Sequence, residues 1–187
     1  MPVPDEWDLT GKTAIITADR RGWTPILASS LAEAGADVAV AGSDASDRDD
    51  AVVQVERHGR RALSIPADVT DAGDVEEAVR RVVSELSRVD ILVNNARVEF
   101  GKPFADVTEG EWQTVMDFNV KSMFLWSQIA GKRMVEQGGG RIVNIGSGLA
   151  TRGLWNSVAA CASQGAIHQL TSALSLEWAR AGVRVNA

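Results

Sequence analysis

Few side chains in this sequence could do chemistry by themselves. Cys161 is the only thiol, and His58 and His168 are the only imidazoles. Cys161 and His168 are seven residues apart, two helical turns and roughly 10 Å by helical rise. That is too far for a nucleophile and its base, so Cys161 is expected to be a small buried residue. His58 closes a polar stretch and is expected to be solvated. One cysteine and two histidines show no metal-ligand spacing. Arg20, Arg21 and Arg97 could converge on an anion, since a guanidinium suits phosphate. The competing reading pairs them with Asp19, Asp44 or Asp68. Ser147, Asn95 and Asn119 offer neutral hydrogen-bonding groups. The chain has six tryptophans and no tyrosine, so no phenol is available as an acid or base.

Such groups need elements to hold them. Short runs rich in apolar and β-branched residues fall at 13–17, 37–41, 62–65, 90–94, 141–145 and 183–185. Near-continuous apolar runs suit strands buried on both faces of a parallel sheet. Between them, 27–35, 47–58, 71–87, 108–137 and 157–181 carry helical spacing, with acidic residues toward several starts and Gly35 and Gly182 at two ends. The alternation predicts βαβ units in one α/β domain with a doubly wound sheet. At 187 residues the chain can bury a substantial core. The net charge of −6 argues against nucleic acid or an anionic membrane as a partner. No apolar run is long enough to cross a bilayer, and a lone cysteine suits a reducing compartment. A cytoplasmic protein is the expectation.

Seven separated pieces, in order, resemble the short-chain dehydrogenase/reductase family over the whole length. They are Gly11-Lys-Thr-Ala-Ile-Ile-Thr17, Ala67-Asp68-Val69-Thr70, Asn94-Asn95-Ala96 and Asn119-Val-Lys-Ser. Arg141-Ile-Val-Asn-Ile-Gly-Ser147, Ala162-Ser163-x-Gly165-Ala166 and Arg184-Val-Asn186-Ala187 complete the set. The resemblance implies a Rossmann-type parallel sheet flanked by helices, here ending after the sixth strand. It lacks the family's later substrate segment and last strand, so the sixth strand would become an open edge. By the same resemblance, Thr17, Arg21, Gly22, Asp68 and Asn95 belong to a nicotinamide-nucleotide site. Asn119 and Ser147 are remnants of the catalytic group. Fold alone does not settle function.

The departures from the family pattern carry the functional expectation. The family's glycine-rich turn lets the backbone approach a pyrophosphate at a helix N-terminus. Here it reads Thr17-Ala18-Asp19-Arg20-Arg21-Gly22-Trp23-Thr24, and only Gly22 of three glycines remains. Ala18 adds a Cβ where glycine allows positive φ, Thr24 adds a branched side chain, and Trp23 could stack on a base or plug the cleft. Arg97 replaces the glycine of the family's NNAG segment. Gly42 ends the second strand, where an acidic or basic residue would otherwise read the ribose. Arg21 is the one hint of NADP preference.

The family's tyrosine and lysine stand at i and i+4, where the ammonium lowers the phenol's pKa for proton transfer. Alignment puts Ala160 and Gln164 at these places. Three readings follow. The first, which is the expectation, is a catalytically degenerate protein, with no cofactor expected, acting as a non-catalytic or regulatory subunit beside an active paralogue; the other two are alternatives. The second is an NAD(P)-dependent oxidoreductase acting on an alcohol or ketone. The third is a non-redox reaction in a remodelled pocket. The resemblance also implies a homo- or hetero-oligomer through two long helices, where Trp112, Trp126 and Trp178 could form an interface.

Overall fold

The structure is a computed structural model that describes residues 4–18 and 22–187, apart from the Asp5 side chain. Asp19, Arg20 and Arg21 lie outside the described residues.

Six parallel strands form one sheet in the order β3-β2-β1-β4-β5-β6. They are β1 (Thr13–Thr17), β2 (Asp37–Gly42), β3 (Ala62–Pro66), β4 (Ile91–Asn94), β5 (Gly140–Asn144) and β6 (Val183–Asn186). The order reverses between β1 and β4, so the carboxyl ends of these strands diverge into a crevice, the usual ligand position of such sheets. Alternate residues of β1 serve two cores. Ala14 and Ile16 pack with Ala28, Ala32, Ala51 and Val55 on one face. Ile15 packs with Val75, Val82, Trp126 and Met134 on the other. The expectation of strands buried on both faces holds for β1, β2 and β4. It fails for β5 and β6, whose residues alternate between buried and exposed.

The helices are α1 (Trp23–Glu33), α2 (Ala45–Arg57), α3 (Ala72–Leu86), α4 (Glu109–Met116), α5 (Ser122–Glu136) and α6 (Val158–Trp178). Helix α1 starts four residues before the sequence pattern suggests. Gly22 caps it at φ 77°, and Pro25 falls in the first turn, where backbone N–H groups have no intrahelical partner. Asp44 and Asp71 cap α2 and α3 by accepting from Asp47 N and Asp74 N. The single helix expected over 108–137 is α4 and α5 joined by a π-helical turn, Asp117–Lys121. Thr108 and Glu111 close a capping box at its start.

Trp126 is fully buried in the core beneath the sheet, not at a surface. The sequence-based interface reading for it is therefore corrected. Its ring belongs to the core shared by α3, α5 and the sheet. Trp178 lies against Gly131, where a Cβ would collide with its ring. The large apolar side chains that α5 and α6 do expose are Phe124, Val135, Val158 and Leu176. Cys161 is half-buried, with Sγ 3.8 Å from the Arg152 carbonyl, so it is less enclosed than expected. His58 is exposed as anticipated and its Nε2 lies 3.0 Å from Ser29 Oγ.

Candidate active site

The sequence-selected polar residues do meet at the carboxyl ends of the central strands. Thr17 ends β1 and is 1% exposed. Its hydroxyl oxygen accepts from the backbone N–H of Asn95 and of Ala96 at 2.8 and 2.9 Å. The β4 segment is thereby tied to β1 where the crevice opens. Asn95 Nδ2 donates to Thr24 Oγ1 at 3.3 Å, joining the start of α1 to the same knot. Below it, Asn94 Nδ2 donates to Ser127 and Asn144, and Asn144 Nδ2 donates to Thr171. This buried relay links β4, β5, α5 and α6.

Asn119 sits in the π-helical turn and is 1% exposed. Its Oδ1 accepts from Val98 N at 2.8 Å. Its Nδ2 donates to the Val98 carbonyl at 3.1 Å and to Ser163 Oγ at 3.0 Å. Both ends of the amide are committed to the scaffold, so Asn119 positions the 98–101 backbone against α6. π-Turns recur at functional sites because they redirect one side chain from the helical row. Ser147 follows β5 and is half-buried. Its oxygen accepts from Leu149 N at 3.3 Å, which leaves the hydroxyl proton to offer.

A cavity of about 470 Å³ opens beside these groups, within the range of small-molecule sites. Ser147, Asn119, Ala160 and Gln164 line it together with Arg97 and Arg152. Ala160 and Gln164, the places to which the sequence resemblance assigns a phenol and an ammonium, both stand on its wall. Gln164 is 3% exposed, and its Oε1 has no hydrogen-bond partner. Arg152 was missed by sequence reasoning. It lies in an irregular loop, where neither periodicity nor a motif marks it.

The nucleotide end of the crevice shows several corrections. Trp23 is 57% exposed at the start of α1 and is not packed as a plug. Ala18 is buried at ordinary φ, so the backbone strain expected there is absent. Its cost appears elsewhere: a Cβ on Gly42 would stand 2.7 Å from the Ala18 Cβ. The two departures at 18 and 42 are one steric fact. Arg97 pairs with Glu99 at 3.0 Å, not with Asp44 or Asp68. Asp44 caps α2, and Asp68 accepts from Thr70 N and Oγ1 at 2.8 and 2.7 Å. Those bonds, with the Lys121 charge adding, hold the Asp68 carboxyl below the usual carboxylate range. Arg48, also unremarked in the sequence, is buried and donates to the Gly42 carbonyl at 2.5 Å.

These residues suit a dinucleotide in outline. Gly22 holds the left-handed cap with open space above it, and the backbone N–H groups of Trp23 and Thr24 begin α1 behind it, where an anion would be favoured. Exposed Asp68 stands just beyond the end of β3. Among the described residues, no group of three or more His, Cys, Asp or Glu could hold a metal. No helix there is long and apolar enough to cross a membrane.

Strand order, crevice and flanking helices together define a Rossmann-type α/β fold. Residues 12–187 match the short chain dehydrogenase family, and the chain belongs to it. It is 36% identical to the 2-dehydro-3-deoxy-D-gluconate 5-dehydrogenase of Dickeya dadantii, over 97% of this chain and 71% of that protein. It is 32% identical to the NAD-dependent glycerol dehydrogenase of Listeria innocua, over 97% of this chain and 70% of that one. The crystal structure of a putative short-chain alcohol dehydrogenase from Sinorhizobium meliloti superposes with a TM-score of 0.93 at 38% identity. That match covers 97% of this chain and 72% of the other. The relatives are named as dehydrogenases, which favours the oxidoreductase reading over the degenerate-subunit reading and does not support the expectation of no cofactor.

Proposed function

We propose that this chain is a nicotinamide-nucleotide-linked oxidoreductase of its family, handling a small alcohol or ketone with an unusually weak proton step. The observation that carries the reading is the cavity in which Ser147, Ala160 and Gln164 stand together on a scaffold tied by Asn119. Gly22, the N-terminus of α1 and Asp68 would hold the nucleotide, with Arg21 as the NADP-directed candidate; bound there, it would supply or accept the hydride. Ser147 is the hydroxyl able to donate to a substrate oxygen. Asn119 and Asn95 keep the two sides of the crevice in register. Ala160 offers no acid, and the Gln164 amide carries no charge to sharpen one. A missing general acid costs roughly 10²–10⁴-fold in rate. Slow turnover is therefore expected from the chain as it stands.

The test is restoration. Ala160→Tyr with Gln164→Lys puts the phenol and ammonium on one face of α6, four residues apart. Oxidation of polyols and sugar acids is followed by nicotinamide absorbance, with nucleotide binding checked by fluorescence. A gain of about 10²–10⁴-fold over the parent is expected. A folded, nucleotide-binding double variant with no gain would remove the reading. Ala160 itself favours a second reading, a non-catalytic subunit beside an active homologue. The exposed Phe124 and Leu176 on α5 and α6 give that reading a surface. Co-expression with such a homologue tests it, and separation on a sizing column would count against it.

A further inference from the structure

The cavity differs from a plain alcohol pocket in its charge. Arg97 and Arg152 both line it, and the single acidic side chain on its wall is Glu99. The Arg97 side chain is only 17% exposed, and its Nε is buried without an acceptor. Its one carboxylate partner among the described residues, Glu99, is 73% exposed, so water screens that end of the pair. Arg152 has no ion-pair partner among the described residues. Its Nε lies 3.6 Å from where a Cβ on Gly148 would stand, so the guanidinium crosses the backbone just after Ser147. Gln164 supplies the independent sign of a ligand. It is nine-tenths buried, it lines the same cavity, and its Oε1 accepts nothing. Buried polar atoms are nearly always satisfied, so an orphaned acceptor on a side chain of the cavity wall marks a place where the chain itself supplies no donor.

We propose that the cavity recognises a small hydroxy- or oxo-carboxylate, a compound of sugar-acid type, in preference to a neutral polyol. The carboxylate is taken by Arg97 and Arg152, and a ligand hydroxyl pairs with the Gln164 amide on the same wall. A carboxylate matches the forked guanidinium in shape and charge. A neutral polyol would leave Arg152 without a counter-charge and Arg97 with only the exposed Glu99. The inference deepens the oxidoreductase reading and rests on it for the cavity's role, but its chemistry is binding alone. A phosphate of a nucleotide is the other source of the same anionic chemistry.

Calorimetry on the whole chain at low salt separates these cases, with D-gluconate, D-sorbitol and inorganic phosphate as probes. Gluconate and sorbitol share a six-carbon hydroxylated chain and differ at the carboxylate. Gluconate is expected to bind about tenfold or more tightly, with a preference that falls as salt screens the charges. Arg152→Gln and Arg97→Gln should each remove most of that preference. Glu99→Gln should tighten gluconate. Arg152 is exposed, so its variant keeps the fold even if Arg97→Gln does not. Equal binding of gluconate and sorbitol, or a preference that survives Arg152→Gln and high salt, overturns the proposal. So does phosphate binding as tightly as gluconate with an adenine dinucleotide displacing both. If gluconate and sorbitol bind the parent equally while the Ala160→Tyr/Gln164→Lys protein turns over either, the carboxylate preference falls and the oxidoreductase reading stands. If gluconate binds as expected but that protein turns nothing over, the reverse holds.

Discussion

Gly42→Ala is the smallest change that should expose how this crevice is built. The added Cβ would stand 2.7 Å from the Ala18 Cβ, where carbon atoms prefer about 3.5–4.0 Å. Neither backbone can give way easily. Ala18 N donates to the Ala41 carbonyl at 2.7 Å, and the Gly42 carbonyl accepts from Ala67 N at 3.1 Å. Arg48 holds the same carbonyl at 2.5 Å. Overpacking of this kind costs about 1–3 kcal/mol, equivalent to a fall in Tm of about 2–4 °C per kcal/mol for a chain of this length. Ala18→Gly alone should cost about 1 kcal/mol, from one lost buried methyl and a looser unfolded chain. In Ala18→Gly/Gly42→Ala the collision is gone, so the double variant should be no less stable than Ala18→Gly. The coupling between the sites is then about 1–3 kcal/mol. Urea unfolding of the four proteins, followed by tryptophan fluorescence, measures it. A coupling below about 0.5 kcal/mol, within the usual error of additivity, would refute the steric account of why position 42 carries no larger side chain.

Two further outcomes are expected. Thr17→Val keeps the shape but strands the buried N–H groups of Asn95 and Ala96. It should cost about 2–4 kcal/mol, read by thermal unfolding; a loss under about 1 kcal/mol would mean that water enters the knot. Glu111 concerns pH. Lys102 and the Thr108 cap lower its pKa from 4.5 to about 2. A depressed folded-state pKa stabilises the protein fully above 4.5, and the effect is lost as pH falls from there to about 2. The Tm difference between the parent and Glu111→Gln should therefore be largest near neutral pH and shrink steadily below pH 4.5. A constant difference across that window would sink the assignment.

Most of the strand runs, the helix starts at Asp71 and Thr108, and the family membership are written in local order along the chain. Period, capping chemistry and motif spacing are properties of neighbouring residues, so the sequence alone determines them. The absence of any phenol, and the placing of Ala160 and Gln164 on one helix face, are legible in the same way. Tertiary structure alone decided what lies beside what. It put Trp126 into the core, turned Trp23 outward, and broke the long helix at Asn119 so that its amide could clamp Val98 and Ser163. It brought Gly42 against Ala18, 24 residues away along the chain, and set Arg152 from an irregular loop beside Arg97 and the orphaned Gln164 oxygen. Contacts between distant segments depend on how helices and strands fill a shared volume, and no short window of sequence carries that information.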